Sequence, residues 1–208
     1  MCVNLIEGQG ISLRNDDGLQ IDNLRVKLGW NVPRNPSKMW FANFFEQSVV
    51  ECNAYMLMCQ ESSIIEDEDV ISYCNPEHES KSVRYLGKCL DNKGRVSELM
   101  SINLEKIPRQ YDTIVFMADI DRTNDENQNF GMIKEPYIHI TDDDRNEKFC
   151  HYDLAGTYDG MVSVIFGVMF RGDNSWKFMA LGEGSNNEEF GYMLKQIQQF
   201  EQTSSIAT

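Results

Sequence analysis

Apolar and polar residues alternate with a period of two along most of this chain, which restricts it to strands packed face to face. Val3 and Leu5 alternate with polar neighbours, and Ile11 and Leu13 do so after Gly8-Gln9-Gly10. Leu24, Val26 and Leu28 form a third run, ended by Gly29-Trp30. Residues 49–58 are longer and more apolar, as a central strand requires, and residues 70–74 form a short strand before the Asn75-Pro76 break. Residues 99–104 alternate again before Ile107-Pro108, and residues 114–120 make the most hydrophobic strand. Residues 137–140 and 147–154 read as a hairpin closed by Asp142-Asp143-Asp144. Residues 162–171 and 176–181 flank the turn Gly172-Asp173-Asn174. Many short strands at near-even spacing predict an all-β fold, a β-sandwich of two packed sheets.

Helical spacing is confined to two stretches. In residues 188–201, Phe190, Met193, Leu194, Ile197 and Phe200 share one side, which predicts a C-terminal amphipathic helix packed on the domain. Residues 39–46 gather Trp40, Phe41, Phe44 and Phe45 on one side of a short helix. Residues 203–208 carry no pattern and should fray. The 208 residues fit one sandwich domain over residues 1–187, with the helix and tail over 188–208.

The balance of 33 acidic residues against 19 Lys and Arg gives a net charge of −14. Little positive charge is available to displace counterions from phosphates, which argues against nucleic acid and equally against anionic membrane surfaces. It suits solubility, cations or basic protein partners. No stretch approaches the ~18 apolar residues of a membrane helix, so no membrane insertion is expected. Met1-Cys2-Val3-Asn4 lacks the basic, then apolar, start of a secretory signal. Six cysteines lie scattered without CxxC spacing, so they read as free thiols of a cytoplasmic protein. Cys52, Cys74 and Cys150 fall in strands and are expected to pack as small hydrophobes.

Catalytic signatures are absent from the sequence. There is no GxSxG elbow, and Ser82 stands where a phosphate loop ending at Gly87-Lys88 needs glycine. Cys150 and His151 are adjacent on a strand and face opposite sides. Acids are the remaining chemistry. Asp119, Asp121, Thr123 and Asp125 have the one-three-five-seven spacing of a calcium loop. Asn124 replaces the turn glycine and Phe130 the closing glutamate, so this is not an EF-hand. On a strand, Asp119 and Asp121 project from one face and can share a cation with a loop offering Asp91, Asn92 and Glu98; a solvated acidic turn is the other reading. The run Glu66-Asp67-Glu68-Asp69 reads as a surface face, and Asp142-Asp143-Asp144 as turn chemistry.

Several segments, in order, resemble the tellurium-resistance (TerD-like) stress-protein family. Val3-Asn4-Leu5, Gly8-Gln9 and Ile11-Ser12-Leu13 are similar to its opening strands, and VKLGW at 26–30 to its Gly-Trp strand end. EDEDVISYCNP at 66–76 resembles the acidic run, strand and Asn-Pro break after its central strand. Ile107-Pro108 with residues 114–116 resembles its "VP…IVF" stretch, and residues 128–131 its QNFG element. Tyr152-Asp153-Leu154, Ile165-Phe166-Gly167, Arg171, Trp176-Lys177-Phe178 and Gly182-Glu183-Gly184 resemble its closing hairpin. The resemblance covers roughly residues 3 to 200. It implies a calcium-binding β-sandwich linked to tellurite resistance and general stress responses, without catalysis.

This sequence departs from the family at the acids. Val49 and Glu51 stand where the family's central strand carries aspartates, and Cys52 where it has alanine. Lys88 follows Gly87 in the family's Gly-Asp-Asn loop, Asp91-Asn92 read as a shifted version of it, and Glu98 remains of its closing acids. Asp121-Arg122-Thr123 replaces a His-Asp-Ala, and the acid before Ile-Phe-Gly is lost near Met161. Calcium wants six to eight oxygens, so the expected site is weak, at ~10⁻⁴–10⁻³ M. Its ligands would be Asp91, Glu98 and Asp121, with Glu51 and Asp119 beside them, and Lys88 and Arg122 adding repulsion. The sequence thus predicts a non-enzymatic stress-response protein with weak calcium binding and protein partners of unknown identity. The alternative is a metal-free protein-interaction scaffold of the same fold.

Overall fold

The computed structural model describes residues 2–32, 50–61, 63–64, 66–90, 95–123, 125–172 and 175–186. Both expected helices, at 39–46 and 188–201, and the expected ligand Asp91 lie outside the described residues. In chain order the described strands are β1 (Val3–Leu5), β2 (Gly10–Ser12), β3 (Asn23–Asn31), β4 (Glu51–Gln60), β5 (Ser63–Ile64), β6 (Val70–Ile71), β7 (Val83–Leu90), β8 (Arg95–Asn103), β9 (Thr113–Asp121), β10 (Lys134–Asp142), β11 (Glu147–Asp153), β12 (Ser163–Arg171) and β13 (Trp176–Ser185). They build two sheets. Sheet one runs β1-β11-β10-β3-β8-β7, and sheet two runs β2-β13-β12-β9-β4-β5, with β6 also paired to β4.

The alternation does what it predicts. In β3, Leu24, Val26 and Leu28 are buried while Arg25 and Lys27 face out. Val26 pairs with Ile140 on one side and Met100 on the other, so one apolar row crosses three strands. That row meets the inward residues of sheet two, including Ala54, Met56, Phe116, Ala118, Phe166 and Phe178, in one core. The centre of sheet two is buried on its outer face as well, by Leu57, Val115, Met117, Ile165, Val168 and Leu181. This is why 114–118 reads as continuous apolar sequence rather than as alternation.

Two strand readings need correction. The strand expected at 70–74 is only Val70–Ile71, because its tail turns into the Asn75-Pro76 break. Residues 83–90 form a full strand that the pattern conceals. β7 is the edge of sheet one and is mostly exposed, so nothing forces its residues to alternate. Its register against β8 also slips between Tyr85 and Gly87. Gly87 there has φ +123, a conformation that favours glycine, and the resulting bulge sets Lys88 opposite Glu98.

Candidate functional site

Of the expected cation ligands that the structure describes, Glu98 stands apart from Glu51, Asp119 and Asp121. β8 points Val96, Glu98, Met100 and Ile102 inward, so Glu98 is carried into the sandwich and is 1% exposed. On β4 and β9 the inward positions are Cys52, Ala54, Ala118 and Ile120, which leaves Glu51, Asn53, Asp119 and Asp121 on the outer face of sheet two. There Glu51 pairs with Asp121 and Asn53 with Asp119. Strand parity thus separates Glu98 from the other three acids, and among the described residues no three His, Cys, Asp or Glu side chains gather as a metal site.

Asp119 and Asp121 also have local partners. Asp121 accepts the Thr123 amide at 2.9 Å, and its hydrogen bonds to Thr123 hold its carboxyl below the usual range. Burial, then the Asp119 charge and its hydrogen bond, push the Tyr55 phenol upward. Arg122, whose Nε donates to the Glu126 carbonyl at 2.7 Å, borders the same cleft as Asp119 and Asp121. Together Asn53, Tyr55, Tyr73, Asp119, Asp121, Thr123 and Glu126 line an open cleft of about 630 Å³ at this corner.

Glu98 sits in a different environment. Lys88 lies 3.2 Å from Glu98 Oε1 and donates to the Cys52 carbonyl at 2.7 Å. Glu98 Oε2 accepts the Ala54 amide at 3.0 Å. The ammonium also stands 5.9 Å from the Trp30 ring centroid, a cation–π contact. Strand β6 pairs only with Met56 and Leu57 of β4, and β5 only with Cys59 and Gln60. The β4 edge at Cys52 and Ala54 therefore has no strand beside it among the described residues, and an ion pair from sheet one satisfies its backbone. Burial, followed by Glu98 and Asp119, raises the Cys52 thiol well above its ordinary range, with Lys88 opposing, so this cysteine is neutral packing material.

The segment 128–131 turns out to be a latch. Asn129 Oδ1 accepts the amides of Gly131 at 3.0 Å and Gly160 at 3.2 Å, and Phe130 is buried. The Phe130 amide bonds to the Met161 carbonyl at 2.8 Å, which ties the end of β9 to the start of β12. In the hairpin turn, Asp142 Oδ1 accepts the amides of Asp144 and Arg145, as a turn acid does. Cys52, Cys59 and Cys150 are buried free thiols, whereas Cys74 and Cys89 are exposed rather than packed.

One polar network escapes the sequence reading. Asp69, placed above in a surface run, is 1% exposed. Tyr111 donates to its Oδ1 at 2.6 Å, and His78 Nε2 lies 3.3 Å from both. His78 Nδ1 contacts Ser80 Oγ at 2.6 Å. The order Ser80–His78–Asp69 is that of a hydrolytic relay, but the imidazole and carboxylate are sealed from solvent. The group braces the chain after β6 against the turn before β9. The only sequence signal was an aspartate directly preceding an apolar strand.

The model of the TerD domain matches residues 1–196. The chain belongs to the TerD family. It is 29% identical to stress response protein SCP2 of Bacillus subtilis over 190 residues, covering 90% of this chain and 94% of that protein. It is 26% identical to tellurium resistance protein TerD of Serratia marcescens over 185 residues, 88% of this chain and 91% of the relative. General stress protein 16U of Bacillus subtilis is 28% identical over 186 residues, with coverage of 88% and 91%. The ordered resemblance of strand ends, Asn-Pro break and QNFG element is thereby borne out at family level. Among the described residues, no helix is long and apolar enough to cross a membrane.

Proposed function

We propose that this protein is a non-enzymatic, cytoplasmic stress-response module of the TerD family that acts through surface contacts. Its calcium affinity is no tighter than the ~10⁻⁴–10⁻³ M of weak modules. The observation that carries this reading is the separation of the family-type acids. Glu98 is held inside the sandwich by Lys88, while Glu51, Asp119 and Asp121 stand on the opposite face of β4 and β9. A carboxylate already paired with an ammonium is a poor calcium ligand, and the three outer acids reach six oxygens only if every carboxylate binds through both of its own. The names of relatives as stress and tellurium-resistance proteins support the physiological part. The amphipathic stretch 188–201 is proposed to cover the outer apolar face of sheet two, since its five apolar residues suit such a face. A chain ending at residue 186 should then bind a hydrophobic dye more strongly than the full chain; equal binding would refute that cover.

The functional test is complementation. A bacterial host lacking its own TerD-family protein is given this chain and challenged with tellurite and with oxidative stress. Restored growth, undiminished by D121N, is the expected outcome. Growth that depends on D121N-sensitive calcium uptake by the protein would overturn the weak-metal reading, and no rescue under any stress would overturn the physiological one.

A further inference from the structure

We propose that the outer face of sheet one binds a small free oxyanion, of the size and charge of sulfate or phosphate, over a row of basic side chains: Lys27, His139 and His151, with Lys148 beside them. The site lies across the sandwich from the acids of sheet two and does not depend on their affinity for calcium.

Strand register builds the row. Lys27 of β3 pairs with His139 of β10, and His139 pairs with His151 of β11. Lys148 lies opposite Thr141, two residues along the same face from His139. The alternate residues Val26, Ile138, Ile140 and Tyr152 are buried in the core, so the basic side chains stand on the outside. Strands lie about 4.8 Å apart, so Lys27 and Lys148 flank His139 from either side, and their long stems can bring both ammoniums to one anion above it. The Tyr137 ring borders the row, 5.5 Å from the His151 ring and 6.0 Å from Lys27 Nζ. Neither lysine has a carboxylate partner among the described residues, although Arg25, Arg84, Lys88 and Arg145 each have one. Two acids border the row and both are engaged: His151 Nε2 stands 2.8 Å from Asp153, and Arg25 pairs with Asp143. His139 Nε2 is buried without a hydrogen-bond partner among the described residues, which marks a missing acceptor. Burial first, then the Lys148, His151 and Lys27 charges, push the His139 imidazole down to about 4. The charged neighbours that expel its proton also attract an anion. The net charge of −14 opposes any anion. At an ionic strength of about 0.1 M, however, acids more than ~10 Å away are largely screened, whereas ammoniums touching the anion are not. A seated anion favours the protonated imidazole, so proton and anion each tighten the other as pH falls toward 4.

The chain has three histidines, and the third, His78, is buried on Asp69 inside the protein, where it serves as an internal control. Imidazole NMR signals are followed while sulfate replaces chloride at constant ionic strength; sulfate keeps one charge state across the range used. The His139 and His151 signals should move and saturate, with half-saturation at about 5 mM, while His78 stays still. Half-saturation should tighten about twofold between pH 7 and pH 5, as the anion draws a proton onto His139. K27Q/K148Q should raise it about tenfold or more, with an unmoved His78 signal showing that the fold is intact. Should the double variant not fold, the exposed K148Q alone should raise it about threefold. Movement without saturation by about 50 mM overturns the proposal, as do equal movement of His78, binding that weakens as pH falls, or lysine variants that bind as well as wild type. Vesicles containing phosphatidylserine test the other source of such an anion. Co-sedimentation that K27Q/K148Q abolishes, in a protein that sulfate does not saturate, would assign the patch to a membrane surface and overturn the free-ion proposal.

Discussion

Single residues decide where charge is tolerated in this sandwich. Asp69 receives the Tyr111 hydroxyl at 2.6 Å and the Glu66 amide at 3.0 Å, and His78 stands 3.3 Å away. Burial, then the Asp69 hydrogen bond, raises the Tyr111 phenol to about 12. Asp69→Ala leaves these donors unpaired inside the protein and should cost about 2–3 kcal/mol in urea unfolding. A loss under about 0.5 kcal/mol would show that water replaces the carboxylate. His139, on the outward face of sheet one, is pushed down to about 4, by burial first and then by Lys148, His151 and Lys27. The unfolded imidazole titrates near 6.5, so the unfolded chain binds more protons between those values. Stability should therefore rise with pH across that window and be lost as pH falls from about 6.5 toward 4. After allowance for solvent screening, His139→Gln should remove about 1 kcal/mol of this dependence, read as the difference between the two proteins' unfolding curves at pH 4.5 and 7. Parallel curves would contradict it.

Elements show what the sequence could and could not reveal. Strand β3 was legible because one of its faces is buried and the other wet, and β9 because both are buried. Edge strand β7 was not, since exposure removes the constraint that writes a pattern into sequence. The acids were legible as a set but not as a geometry. Glu98 differs from Asp119 and Asp121 in which way its strand points it, and that became visible only with the neighbours Val96 and Met100 in register. Lys88 was noticed as a charge near the site; its role as partner needed the bulge at Gly87. Gly87→Ala meets no neighbouring atom within 4 Å, so its cost is conformational: about 1 kcal/mol, with the Lys88–Glu98 pair disturbed. Unchanged stability in that variant would mean the bulge relaxes freely.

At the scale of the whole molecule, the two sheets meet over one apolar core and are pinned at one end by an ion pair. The outer corner of sheet two carries Asp119 and Asp121 on an open cleft, and the chain's net charge of −14 suits cations or basic surfaces. On this account, the chain keeps the TerD-family fold with Glu98 paired to Lys88 inside the sandwich, apart from the acids on the outer face. The most direct measurement is calorimetric titration of calcium into the full, chelator-stripped protein at low ionic strength. The account predicts a dissociation constant no tighter than ~10⁻⁴ M, and a sub-micromolar constant would contradict it.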